Sequence, residues 1–141
     1  MRLFLSAIFC FLTLSCASEK ASKVSFDHKA VLKEMKVEDL SSGSGPQAEM
    51  GDRLSVKYVG KFENGKVFDS SDKRGHDFSF HLGKREVIPA WDAGLVGMQK
   101  GAKRKLTVPP HLAYGARGIR GVIPPNSVLI FEVEVTEISQ D

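Results

Sequence analysis

The sequence predicts an α+β fold: an antiparallel sheet of about five short strands whose apolar face is covered by one short α-helix. Three observations lead there. Segments 52–60 and 128–138 alternate apolar and polar residues, the period of a half-buried strand. Only one stretch, 89–95, combines a helix-opening proline with apolar residues on one helical face. No strand–helix–strand alternation occurs, which argues against a nucleotide-binding α/β fold. A single antiparallel sheet must bury its apolar face, and the one helix is the available cover.

The chain opens with a segment unlike the rest. Arg2 supplies a positive charge, and Leu3–Leu14 is almost wholly apolar. That run is too short to span a bilayer but fits the apolar core of a secretory signal. Residues 1–16 are therefore expected to be a signal peptide. Two processings fit. Cleavage after Ala17 follows from the small residues Ser15-Cys16-Ala17. Alternatively, Leu12-Thr13-Leu14-Ser15-Cys16 approximates a bacterial lipobox, with Cys16 lipidated; Cys16 directly ends the apolar run, which favours the second. Residues 17–30 are polar and read as a flexible tether, with a reach of ~20 Å. The domain is expected over 31–141.

Within it, Met35, Val37 and Leu40 suggest a first strand, and Ser41–Pro46 a loop. In the next strand Leu54, Val56 and Tyr58 point one way, and Arg53, Ser55 and Lys57 the other. Asn64-Gly65 between Phe62 and Val67-Phe68 predicts a hairpin with a type I′ turn. Residues 69–77 read as a loop, and Phe78–Leu82 alternates as a strand. The helix is expected at Pro89–Leu95, limited by Gly94 and Gly97. A strand over Ala102–Val108 stops at Pro109-Pro110, with Arg104 interrupting its apolar side. Residues 114–125 form a long irregular loop, and the last strand carries Leu129, Phe131, Val133 and Val135 on one face.

Composition excludes several functions. Net charge is +3, from 20 basic and 17 acidic residues, too mild to argue for nucleic acid. Lys103-Arg104-Lys105 reads as the solvated part of a strand. The only cysteines are Cys10 and Cys16, so the domain holds no disulfide or thiol chemistry. His28, His76, His81 and His111 are scattered without ligand spacing, so no metal is expected. Ser70-Ser71 has no triad partners placeable from sequence.

Tyr58, Phe68, Phe78, Trp91, Tyr114 and Phe131 come from six separate segments, several beside loops rich in glycine and proline. A shared core explains them, and so does a concave apolar pocket. Their motifs decide between the two. Val56-Lys57-Tyr58-Val59-Gly60, Phe68-Asp69-Ser70-Ser71, Gly83–Trp91, Ala113-Tyr114-Gly115, Ile123–Ser127 and Leu129–Val135 follow in order and resemble the FKBP-type peptidyl-prolyl cis–trans isomerase domain from about Leu32 to Ile138. The resemblance is to an exported bacterial member.

The resemblance implies a twisted antiparallel sheet of five to six strands wrapped around one short α-helix. It implies a pocket floored by Trp91 and walled by Tyr58, Phe68, Phe78, Val87, Ile88, Tyr114, Ile123 and Phe131. Tyr58, Asp69, Trp91, Tyr114 and Phe131 would be catalytic; Phe68, Arg74, Phe78, Val87, Ile88, Ile119 and Ile123 would bind substrate. The Ile88 N–H and Tyr114 hydroxyl would hold ligand carbonyls, and Asp69 would pair with Tyr58 and Arg74. It departs from the family at Ala90, often glycine, at Ile119, often histidine, and at Arg104, commonly apolar.

The implied activity is rotation of X-Pro bonds in exported proteins, without cofactor. Implied partners are proline-containing polypeptides and macrolide ligands. No nucleic acid is expected, membrane association only through the lipid anchor, and a monomer. The alternative is a non-catalytic FKBP-like binding or chaperone module, although the 114–123 loop has no room for an inserted chaperone domain. The expected location is the periplasm or, as a lipoprotein, a bacterial envelope membrane.

Overall fold

The structure, a computed structural model, describes residues 27–140. The expected signal peptide, Cys16 and most of the expected tether lie outside these residues.

The end of the tether segment is not a free arm. Asp27 caps a helix, α1 (His28–Glu34), its carboxylate accepting the Lys29 and Ala30 N–H groups at 3.0 and 3.3 Å. Val31 and Met35, four residues apart, fall on one side of this turn and are buried. Met35 closes α1 and does not belong to the first strand, which starts one residue later.

Six strands make one antiparallel sheet: β1 (Lys36–Ser41), β2 (Arg53–Phe62), β3 (Val67–Ser70), β4 (Phe78–His81), β5 (Lys103–Val108) and β6 (Leu129–Ser139). The order is β1-β5-β6-β2-β3, with β4 also on β2. β2 is long enough to take two partners on one edge: β4 pairs with residues 53–56 and β3 with 59–61. Between them the chain turns through α2 (Ser71–Arg74), a single helical turn capped by Ser70. That interruption sets Asp69 and Arg74 beside the middle of β2.

The apolar face, with Leu54, Val56, Leu106, Val108, Leu129, Val133 and Val135 buried, packs on α3 (Pro89–Gly94). Pro89 pre-sets the first turn, and every residue from Ala90 to Gly94 is buried. The sheet thus wraps one short central helix, as expected, with α1 and α2 as additional turns at its margins. No helix among the described residues is long and apolar enough to cross a membrane.

The hairpin after β2 forms, but not through a type I′ turn. Its loop has three residues, 63–65. Gly65 N–H donates to Phe62 O at 2.9 Å, and Phe62 N–H donates to Lys66 O at 2.9 Å. Only Gly65 takes positive φ, +85°. Asn64 instead uses its side chain, Oδ1 accepting Lys66 N–H at 2.9 Å. This is a three-residue loop with a bulge, the next most common hairpin connection.

Arg104 does face the apolar side of β5, and the reason is the helix above it. Its Nη1 donates to the Gly94 and Val96 carbonyls at 2.7 and 3.2 Å, and its Nε to Asp39 at 2.7 Å. These are carbonyls left over where α3 ends, which a cation satisfies well. Arg104→Met is expected to lower stability by about 2 kcal/mol, since charge-assisted bonds to part-buried carbonyls are lost. Urea unfolding measures this; an unchanged midpoint would mean the cap is idle.

Candidate functional site

The rings predicted to share a pocket do meet. Trp91, the third residue of α3, is only 4% exposed. Tyr58, Phe78 and Phe131 stand edge-on to its indole at centroid distances of 5.1, 6.1 and 5.4 Å, and Phe80 tilts against it at 5.8 Å. Phe68 extends the wall by packing edge-on to Phe131 at 5.8 Å. Edge-to-face contacts of this kind fix ring orientation. Tyr58 comes from β2, Phe68 from β3, Phe78 from β4 and Phe131 from β6, so four strands and one helix build a single hollow of about 130 Å³. Asp69, Arg74, Glu86, Val87, Ile88 and Tyr114 complete its lining.

One rim of the hollow is polar. Tyr58 Oη donates to Asp69 Oδ2 at 2.6 Å, and Arg74 Nη2 donates to the same oxygen at 3.1 Å. Ser70 N–H donates to Asp69 Oδ1 at 2.9 Å. The Arg74 guanidinium also sits 5.9 Å from the Phe78 ring centroid, within cation–π range. Burial of Asp69 opposes its charge, but the bonds from Tyr58, Arg74 and Ser70 outweigh it and hold the carboxyl below its usual range. Burial, then the bond to Asp69, pushes the Tyr58 phenol well above its ordinary value. Tyr114, 36% exposed at the rim, is also pushed up by burial of its phenol. With three donors already on its oxygens, Asp69 is an orienting anion and a poor proton acceptor.

A pH dependence follows. A folded-state carboxyl below its ordinary 3.8 contributes stability that is whole at neutral pH and disappears as pH falls through the lower folded value. Asp69→Asn should therefore be less stable than the wild type at pH 7, with the gap narrowing as pH falls below 3.8. Urea titrations across that range check it; a gap independent of pH would contradict the network.

Ile119 and Ile123 do not line this hollow. They bond to each other, Ile119 N–H to Ile123 O and Ile123 N–H to Ile119 O, both at 2.8 Å. That ties the long loop into a closed turn of its own. Ile123 is buried in the core beneath it, while Ile119 is 38% exposed. Both face a separate shallow depression with Arg117 and Val122. Among the described residues no group of three His, Cys, Asp or Glu side chains is placed to hold a metal.

A model of the FKBP_C family, FKBP-type peptidyl-prolyl cis-trans isomerase, matches residues 45–136, which include every residue of the hollow. The chain belongs to this family.

Its relatives place the FKBP domain further. FK506-binding protein 2 of Yarrowia lipolytica is 48% identical over 123 residues, covering 87% of this chain and 81% of its own. FK506-binding protein 4 of Neurospora crassa is 53% identical over 108 residues, 77% of this chain. The match spans only 23% of the Neurospora protein. Among solved structures, AtFKBP13 superposes with a TM-score of 0.70 at 43% identity, covering 77% of this chain and 96% of that one. These two curated relatives are fungal, so they lend no support to an exported bacterial type.

Two residues that shape the hollow were not singled out by the sequence. Ser71 is buried, and its Oγ accepts Tyr58 N–H at 3.0 Å, locking α2 to β2 behind the ring. Gly60 leaves room for the walls: a Cβ there would lie 2.6 Å from Phe68 Cζ and 3.1 Å from Phe131 Cε1. Ser71 acts on a backbone amide and Gly60 by lacking a side chain, roles that residue type alone does not announce.

Proposed function

We propose that this chain catalyses cis–trans rotation about X-Pro bonds, with proline-containing polypeptides as substrates. The observation that carries the reading is the ring-walled hollow on Trp91 with the Tyr58–Asp69–Arg74 network at its rim.

Rotation about a prolyl amide is slow because resonance must be lost, a barrier of ~18–20 kcal/mol. The step breaks no covalent bond and needs no nucleophile. It needs surroundings that favour the twisted amide over the planar one. The twisted amide has less charge separation between oxygen and nitrogen, so a dry aromatic cavity penalises it less than the planar form. Each ~1.4 kcal/mol of that difference is worth a factor of ten in rate. The Trp91 face accepts the pyrrolidine ring. Ile88 caps α3 at the wall of the hollow, where first-turn N–H groups lack helical partners, and its amide holds a substrate carbonyl. Tyr114 offers a second donor at the rim. Asp69 keeps Tyr58 and Arg74 in place.

The test is the cis-to-trans relaxation rate of a short prolyl peptide, which should rise in proportion to added protein. Binding of a pocket ligand without any rate increase would leave a binding module instead. Macrolides are proposed as ligands of the same hollow, in line with relatives named for FK506. We also infer export, from the apolar run behind Arg2. Mass spectrometry of the mature chain distinguishes an acylated Cys16 from a start at Ser18, and an intact Met1 would sink the inference.

A further inference from the structure

Two wall residues of the hollow, Val87 and Ile88, lie on a segment that belongs to no strand or helix, between β4 and α3. A loop of this kind drifts unless its backbone is bonded elsewhere. Two carboxylates hold it. Glu86 is at the surface: Oε2 accepts His81 N–H at 2.8 Å, and Oε1 lies 3.0 Å from His81 Nδ1. The second anchor, Asp92, is 2% exposed. It follows Trp91 in α3. Its Oδ1 accepts Gly83 N–H at 2.8 Å and its Oδ2 accepts Arg85 N–H at 3.1 Å.

The loop conformation needs such a hold. Arg85 sits at φ +59°, in the left-handed region that a long side chain seldom adopts. Residues kept there persist only where neighbours over-determine them. A buried carboxylate is itself costly. Burial pushes the Asp92 carboxyl up, while the two amides and nearby His28 favour the charge. Helix packing alone gives no reason to place an acid here, since the neighbouring buried positions of α3 are Ala90 and Ala93. The group is explained by what it grips: the start of the segment whose end forms the pocket wall.

We propose that Asp92 is a positioning residue for the site, fixing the 83–88 segment through the Gly83 and Arg85 amides and thereby the placement of Val87 and Ile88 beside Trp91. Its effect on turnover rests on the isomerase reading; its effect on the loop does not. A displacement of ~1 Å at a substrate-holding group can cost ~100-fold in rate.

Asp92→Asn, in the full chain, keeps the volume and one acceptor but turns an amino group toward an amide donor. The expected result is about tenfold lower kcat/KM for a prolyl peptide. The amide resonances of Gly83, Arg85, Val87 and Ile88 should shift or broaden while those of β2 and β6 stay. A folded variant with unmoved Val87 and Ile88 resonances overturns the proposal, and so does a perturbed loop with unchanged kcat/KM. If the variant does not fold, hydrogen exchange of the native protein decides. The Gly83 and Arg85 amides should exchange at least ~10-fold more slowly than that of Lys84; equal rates overturn the assignment. Should the wild type turn over no prolyl peptide, the isomerase reading falls, and the resonance and exchange measurements still decide the role of Asp92 in the loop.

Discussion

Trp91→Leu is expected to lower kcat/KM for a prolyl peptide by at least about tenfold, roughly 1.4 kcal/mol of transition-state preference, in a protein that still folds. Leucine removes the flat surface proposed to receive the pyrrolidine ring and the partner of four other rings. The same change costs stability. Truncating a buried aromatic to alanine costs about 3–5 kcal/mol, and leucine retains part of the volume, so about 2 kcal/mol is expected. The two losses separate if activity is read well below the unfolding transition. The sole tryptophan also supplies the control: a pocket ligand should change wild-type fluorescence. A folded leucine variant with undiminished turnover would remove the indole from the mechanism.

Gly60→Ala should be the most damaging single-methyl change at the site. The strand tolerates alanine, and the backbone there needs no left-handed conformation. The obstacle is the added carbon, which would meet the Phe68 ring at 2.6 Å. A rigid ring edge cannot give way as a flexible chain end does, so Phe68 must swing into the hollow or away from Phe131. Overpacking of this kind costs about 1–3 kcal/mol. The affinity of a pocket ligand should fall with it. Adding Phe68→Leu to Gly60→Ala should recover stability, because the two positions touch and their effects are coupled. If the double variant is as unstable as the two single changes added together, the clash is not the cause.

Much of the fold was readable because its strands are half-buried. Leu54, Val56 and Tyr58, or Leu129, Phe131, Val133 and Val135, alternate with solvent-facing residues, and period two leaves little choice of face. What escaped lay where a residue answers to something distant. α1 has one buried residue, Val31, too weak a stripe to stand out, although Asp27 before it was a usable N-cap signal. Arg104 looked like a break in an apolar pattern because its partners are carbonyls 8 and 10 residues earlier. Asn64-Gly65 announced a turn, but its type depended on Asn64 bonding Lys66 through the side chain rather than turning its own backbone. At the site, the family resemblance pointed to the rings, Asp69 and Arg74, side chains that line the cavity themselves. Ile119 and Ile123 lie outside the lining of the hollow, and nothing in the loop sequence says that they bond one another. Ser71 and Asp92 act on backbone amides, and Gly60 acts by lacking a side chain; each role exists only once the strands are assembled.

The strand order carries a consequence for how the molecule comes into being. β6, the last in chain order of the six described strands, lies between β2 and β5 and supplies Phe131. Until it inserts, the two halves of the sheet have no common neighbour, and the hollow lacks one wall. Pairing residues 53–62 with 129–139 closes a long stretch of chain before any reward, which slows folding. An emerging polypeptide therefore lacks one wall of the hollow until residues 129–139 have been made.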